Sequence, residues 1–173
     1  MVEMIRHILE KDLNDILEIY NDAIINTTAV YDYTPHTLED RRLWYKQKIE
    51  GGYPILVFEE NNKVIGFATF GQFRAWQAYK YTIEHSVYVH KAYRKKGIGT
   101  MLLEEIIEIA NKQNYATLIA GIDAVNEKSI KVHERLGFTH SGTIKKAGFK
   151  FGKWLDLAFY QLDLKGPERP TEK

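Results

Sequence analysis

A β-rich run that passes through a basic turn into a glycine-opened helix constrains this chain more than any other feature. Thr82–Val89 reads as a strand, and Gly97–Gln113 carries Ile98, Met101, Leu102, Ile106, Ile109 and Ala110 at helical spacing with Glu104, Glu108 and Lys112 opposite. A strand feeding a long amphipathic helix requires layered α/β packing, because each element must bury one face against the other kind. The other patterns agree. Val2–Leu9 suits a first strand, and Asp12 with Asp15 can cap a helix presenting Leu13, Ile16, Leu17, Tyr20 and Ile24. Thr37 with Asp40 predicts a short second helix through Ile49. Ile55–Glu59 and Lys63–Phe70, separated by Glu60, Asn61 and Asn62, predict an antiparallel hairpin. Thr117–Asp123 reads as a strand, Glu127–Leu136 as a helix stopped by Gly137, and Phe138–Ile144 with Leu155–Leu164 as two closing strands. The fold class is mixed α/β (α+β), with the hairpin first and strand–helix units later.

A chain of 173 residues suits one domain, expected over 1–164. The last residues, 165–173, hold two Pro and five charged side chains and read as a flexible tail. Lys plus Arg is 24 and Asp plus Glu is 23, a net charge of +1, so neither nucleic acid nor an anionic membrane is an expected partner. Any anion site must be local. The absence of Cys excludes disulfides, thiolate metal sites and a cysteine nucleophile, and no metal site is expected. Met1–Lys11 is charged and lacks the apolar core of a signal peptide, and no run approaches the ~20 apolar residues of a membrane span. A cytoplasmic location is therefore expected.

The segment EHSVYVHKAYRKKGIGT, Glu84–Thr100, has the make-up of an anion cradle. Arg94, Lys95 and Lys96 precede Gly97 and Gly99, so unpaired backbone N–H groups at a helix start can face phosphate oxygens without side-chain obstruction. The G-x-G spacing lacks the third Gly of a dinucleotide fingerprint and the G-K-[ST] of a Walker loop. Spacing alone fits either an anion site or a plain basic β-to-α turn.

Arg94-Lys95-Lys96-Gly97-Ile98-Gly99, directly after Val87-Tyr88-Val89, resembles the acetyl-CoA motif of the GCN5-related N-acetyltransferases (GNAT), Arg or Gln followed by x-x-Gly-x-Gly or Ala. HERLGF, His133–Phe138, is similar to the family's second motif. EHSVYVHKAYRKKGIG, AGIDAVN and KFGKWLDL resemble the phosphinothricin and methionine sulfoximine N-acetyltransferase subfamily. The resemblance covers nearly the whole chain. It implies a largely antiparallel mixed sheet with helices on both faces, splayed near Val87–Val89. There pantetheine of the cosubstrate acetyl-CoA would bond the backbone of Val87, Tyr88 and Val89, with its diphosphate on Lys95–Thr100. Asn126 and Ser129 would flank the pantetheine arm. It further implies a homodimer and a small-molecule amine acceptor: phosphinothricin, methionine sulfoximine or methionine sulfone.

Acetyl transfer to an amine needs a neutral nucleophile, a donor for the developing oxyanion and an acid for the leaving thiolate. Glu84 shares a strand face with Ser86 and Tyr88, opposite Ile83, Val87 and Val89, so its carboxylate can face a cleft and take an ammonium proton. An ion-paired surface Glu is the alternative, and the resemblance favours the base. His133 lies on the apolar side of its helix, at the position where most of the wider family carries an acid Tyr. It is read as a second base, as a group orienting Glu84 or the substrate, or as a structural core residue. Arg74 and Tyr79 in FRAWQAYKY, with Thr27 and Tyr31 in the Thr27–Tyr33 loop, are the expected acceptor-binding residues, Arg74 by a bidentate bond to an acid group. Trp76 stands where close relatives carry Arg, which alters the acid-binding set. Lys145, Lys146, Lys150 and Lys153 read as a solvated basic face. The expected activity is direct acetyl transfer to an amino acid. A different amine (polyamine, aminoglycoside or protein N-terminus) and a non-catalytic acyl-CoA sensor are the rival readings.

Overall fold

The hydrophobic periods resolve into seven strands and four α-helices in a computed structural model that describes residues 3–173; Met1 and Val2, which open the expected first strand, lie outside the described residues. In chain order they are β1 (Glu3–His7), α1 (Leu13–Asn26), α2 (Leu38–Glu50), β2 (Ile55–Glu60), β3 (Lys63–Gln72), β4 (Thr82–Val89), α3 (Ile98–Lys112), β5 (Thr117–Asp123), α4 (Glu127–Arg135), β6 (Thr139–Lys150) and β7 (Lys153–Asp163). The chain groups into two compact units, one with residues up to Phe70 and Ser86–Ile106, the other with Gly71–His85 and Ile107–Lys173. β4 contributes to both. The strand order is β1-β2-β3-β4-β5-β7-β6 in one mostly antiparallel sheet, with β4 and β5 parallel.

In the first unit, β1, β2 and β3 form an antiparallel meander with Ile5 opposite Phe58 and Val57 opposite Phe67. Asn61 and Asn62 adopt φ of 51° and 62°, the left-handed pair that a two-residue hairpin turn requires, which is why Asn serves here. Val64–Phe70 is buried without alternation, the signature of a strand covered on both faces. Ile8, Leu13, Ile16, Ile19, Ile55, Val57, Val64 and Phe67 form one core cluster, each such side chain contributing about 1.5–3 kcal/mol of burial. The helix starts divide. Thr37 accepts from Asp40 N–H while Asp40 accepts from Thr37 N–H at 2.7 Å, a closed capping box on α2. Asp12 does not cap α1 as expected. Its carboxylate instead takes two bonds from Arg6, at 2.7 and 3.0 Å, and one from Leu9 N–H at 2.7 Å, because Arg6 on β1 outcompetes the helix N–H groups. Asp15 likewise turns to Val64 N–H at 3.0 Å.

In the second unit, the parallel pairing of β4 with β5 is short, Thr82–Glu84 against Thr117–Ile119. β5 then pairs antiparallel with β7, and β7 with β6. The closing strands run longer than their patterns suggested, to Lys150 and from Lys153, because bulges at His140/Gly142 and Ile144/Gly148 break the period that marks a strand. Phe151 and Gly152, with φ of 52° and 74°, make the turn. Lys150 is 4% exposed and lies over the Phe151 ring, so it is not part of a solvated basic face. In the expected tail, Lys165 N–H bonds Asn111 at 3.2 Å, Gly166 N–H bonds the Tyr115 carbonyl at 3.1 Å and Thr171 N–H bonds the Tyr81 hydroxyl at 3.1 Å. Among the described residues no helix is long and apolar enough to cross a membrane, and no group of three or more His, Asp or Glu is placed to hold a metal ion.

Candidate functional site

The first unit carries the anion-cradle residues. Lys95 and Gly97 take φ of 71° and 78°, so the chain alternates hand across Lys96 just before α3. Such alternation turns successive backbone N–H groups to one side, and the first turn of α3 holds no acidic residue to compete for them. At Gly97 a Cβ would meet nothing within 4 Å, so the approach is open but the backbone hand favours glycine. A Cβ on Gly99 would touch Val89 and Val87 at 3.7 and 3.8 Å, which fixes Ile98, Gly99 and Thr100 beside β4. Lys95 and Lys96 are exposed, Lys96 above the Tyr93 ring, and Ile98 is buried. Arg94 is partly spoken for: its guanidinium reaches Asp22 at 3.4 Å and donates to the Val89 carbonyl at 3.3 Å. Tyr88 packs edge-on against Tyr20 and lies against Phe67 with the two rings tilted by 39°. Thr27 closes α1, its hydroxyl donating to the Ala23 carbonyl at 2.6 Å, and Tyr31 is 39% exposed.

Two further features of this unit escape sequence patterning. Arg41 is 5% exposed, stacked over the Tyr20 and Trp44 rings at 4.3 and 4.8 Å, and bonded to His36 Nδ1 at 2.8 Å. Since His36 Nδ1 accepts, its Nε2 carries the proton towards Asp32, 3.2 Å away. Asn21 fixes the same loop by exchanging bonds with the backbone of His36.

In the second unit, Glu84 is half-buried on β4. Burial pushes its carboxyl above the usual carboxylate range, and the charge of Arg74 draws it partly back. Glu84 Oε1 occupies space that a side chain at Gly121 would claim: a Cβ there would stand 3.1 Å from it, 3.4 Å from Leu157 Cδ1 and 3.8 Å from Phe159 Cε1. Arg74 is exposed, donates to the Phe73 carbonyl at 3.1 Å and stacks on the Phe73 ring. Tyr79 packs on the same ring. Trp76 is 70% exposed.

His133 goes elsewhere. It is buried and sits 3.1 Å, Nε2 to Nε2, from His85, whose side chain leaves β4 on the face opposite Glu84. The ring of His133 bonds the Ser129 carbonyl through Nδ1 at 2.6 Å, so Nδ1 carries the proton and Nε2 accepts from His85. That leaves His85 Nδ1 buried without a partner among the described residues. Burial holds both imidazoles neutral, His85 down to about 3 and His133 below its ordinary value, with the neighbouring His133 adding to the effect on His85. Asn126 caps α4, accepting from Ser129 N–H at 3.2 Å. The structure thus brings Glu84 and Arg74 together and separates His133 from them. Gly121 was legible only as a glycine inside a β-rich run, a mark of close approach. His85 had no signal, because its partner lies on α4.

The sequence profile of the acetyltransferase (GNAT) domain family matches residues 5–159. An L-methionine sulfoximine/L-methionine sulfone acetyltransferase of Salmonella typhimurium (strain LT2) is 42% identical over 160 residues, covering 92% of this chain and 94% of that protein. The solved structure of yncA from Salmonella typhimurium with its cofactor acetyl-CoA superposes with a TM-score of 0.95 at 40% identity, covering 99% of both chains. A GNAT superfamily phosphinothricin acetyltransferase from Sinorhizobium meliloti, solved in complex with acetyl-CoA, gives a TM-score of 0.94 at 36% identity over 99% of this chain and 95% of that one.

Proposed function

The chain belongs to the acetyltransferase (GNAT) family, and from that membership we propose that it transfers the acetyl group of acetyl-CoA directly to the amino group of a small amino acid or analogue, of the methionine sulfoximine, methionine sulfone or phosphinothricin type. Glu84 is the general base. The observation that carries this reading is the half-buried carboxylate whose proton affinity burial raises, with Arg74 near enough to temper the rise. A carboxylate in that state takes a proton from an ammonium more readily than an exposed one. Arg74 would then meet the acid group of the acceptor, with Tyr79 beside it.

The fit to acetyl-CoA rests on the alternating hand at Lys95 and Gly97 and on the acid-free start of α3. Backbone N–H groups of Lys95–Thr100, with Lys95 and Lys96, would take the diphosphate, and Val87–Val89 would offer backbone bonds to the pantetheine arm. When bound, acetyl-CoA supplies an activated thioester carbonyl. Arg94 is assigned to fixing the turn through Asp22, Asn126 and Ser129 to shaping the start of α4, and His133 to holding α4 on His85. The same reading takes 1–164 as one catalytic domain, working in the cytoplasm as a homodimer, without nucleic acid or membrane partner. Sedimentation equilibrium measures the dimer.

Glu84→Gln tests the base. Turnover at neutral pH with saturating acceptor should fall about 100-fold, the lower range for general-base catalysis, while acetyl-CoA affinity by calorimetry persists. The deficit should shrink at alkaline pH, where free amines need no base. In the native enzyme the acid limb of kcat/KM should lie above the ordinary carboxylate range, since Glu84 must be ionised to act and burial raises its pKa. Near-normal turnover of the Gln variant at neutral pH would remove Glu84 from the mechanism.

A further inference from the structure

The loop of the second unit that carries Arg74 and Tyr79 is held differently at its two ends. At its start, Phe73 N–H bonds the Thr82 carbonyl at 3.3 Å, and the Phe73 ring meets the Tyr79 and Phe159 rings at 6.1 and 6.3 Å. At its exit, the Tyr81 carbonyl accepts from Ala116 and Thr117 N–H at 2.9 and 3.2 Å, which ties the backbone to β5. The side chains of Lys80 and Tyr81 are met instead by the chain beyond β7, residues 164–173, which forms no helix or strand. This segment first runs beside the same hub: Leu164 N–H bonds the Ala116 carbonyl at 2.8 Å, and Gly166 N–H bonds the Tyr115 carbonyl at 3.1 Å. It turns at Gly166, where φ is 66° and a Cβ would stand 3.2 Å from Ala116 Cβ, so a glycine is required on both counts. Thr171 then reaches the loop. Its N–H donates to the Tyr81 hydroxyl at 3.1 Å, and its Oγ1 accepts from Lys80 Nζ at 3.3 Å, with that ammonium 5.1 Å from the Tyr81 ring. Pro167 and Pro170 fix φ along the span and lower the entropy lost on docking, so the residues that mark the segment as irregular also stiffen it.

We propose that residues 164–173 are a strap that positions the acceptor-binding loop, with Tyr81 and Thr171 as positioning residues, so that acceptor recognition depends on chain beyond residue 164. The inference rests on the reading of Arg74 and Tyr79 as acceptor-binding residues. The short helical turn Gln77–Tyr79 is closed by Lys80 N–H on the Gln77 carbonyl at 3.1 Å, so holding Lys80 and Tyr81 fixes the direction in which Tyr79 leaves the turn. Tyr79 and the Arg74 guanidinium both pack on the Phe73 ring, and a shift of one disturbs the seat of the other. The strap acts through the loop, by limiting the arrangements over which its residues are spread before the acceptor arrives.

Two substitutions in the full chain test this. Tyr81→Phe deletes the hydroxyl and keeps the ring beside Lys80, and Thr171→Pro deletes both the N–H and the Oγ1 of its partner. Each should raise KM for methionine sulfone about fivefold, the range of one lost hydrogen bond, and leave KM for acetyl-CoA unchanged. The double variant should be no worse than the poorer single one, because both remove the same bond. Multiplied effects, or an unchanged acceptor KM, overturn the strap. Hydrogen exchange over residues 73–81 gives a readout without turnover, and amides there should exchange about fivefold faster in both variants. If the native protein turns over no amino acid, the acceptor reading falls by itself and exchange decides the strap: faster exchange in both variants upholds it, and exchange equal to the native protein's overturns it. Faster exchange with an unchanged acceptor KM in an active enzyme overturns the positioning role.

Discussion

At Gly121 a Cβ would stand 3.1 Å from Glu84 Oε1, shorter than ordinary carbon–oxygen contact, and Leu157 at 3.4 Å blocks retreat on another side. Gly121→Ala must therefore displace the carboxylate. Turnover should drop about tenfold to 100-fold, the cost of misplacing a catalytic group by up to 1 Å, with the acid limb of the pH–rate profile moved upward by the added burial. Stopped-time assays across pH check it, and a native profile would show that Glu84 has room to move without consequence. Glu84 itself was legible because a strand's period of two separates it from Ile83 and Val87. Its neighbour across the sheet was not, since parallel pairing with β5 is non-local and a sequence carries no register for it. His133 was legible as a residue on an apolar helix face. Its role depended on the partner it meets, and His85 lies on the other side of β4 from Glu84.

The elements most legible in sequence were those whose ends are set locally. The Thr37–Asp40 box and the Asn61–Asn62 turn each act within four residues and appear where their patterns put them. Thr37→Ala should cost about 1 kcal/mol, the usual value of a capping side chain, read as a lower urea midpoint with unchanged slope. Equal midpoints would show that α2 is held by its packing alone. Where a long-range partner intervenes, local rules lose. Asp12 sits in the N-cap position of α1 but spends its carboxylate on Arg6, which also holds Glu59 at 2.8 Å. Met101, at helical spacing with the buried set, is 37% exposed while Leu103 is buried, because the buried stripe of α3 follows the layers it packs against. The β6–β7 hairpin was under-read for a related reason: the bulge at His140/Gly142 adds one residue to β6 and the one at Ile144/Gly148 adds two, and a period-two search stops where the pairing is interrupted.

For the molecule as a whole, acid should act in two stages. His85 and His133 have folded-state pKa values below the unfolded value near 6.5, so the unfolded chain binds more protons between the two. Their stabilising contribution is complete above about pH 6.5 and falls as pH drops towards the folded value, about 3 for His85. At pH 5 the loss from His85 is about 2 kcal/mol. Asp12 follows at lower pH: burial opposes its ionisation, but the bonds from Arg6 and Leu9 N–H outweigh it and hold its carboxyl below the usual carboxylate range, so its contribution disappears as the carboxylate protonates. Glu84 acts in the opposite sense, weakening the fold as pH rises through its raised pKa. Thermal melts from pH 8 to pH 5 should be flat to about 6.5 and then decline, and the double variant His85→Phe, His133→Phe should lose most of that decline. An equal slope in the variant would place acid sensitivity elsewhere. The stacking of Arg41 on Trp44 also gives the chain a built-in optical reporter. Trp76 and Trp154 are 70% and 59% exposed, so their emission is red-shifted and open to iodide, whereas Trp44 sits beside Phe67 in the first unit's core with a guanidinium against its indole. With Trp76 and Trp154 replaced by Phe, the remaining fluorescence reports on that core alone.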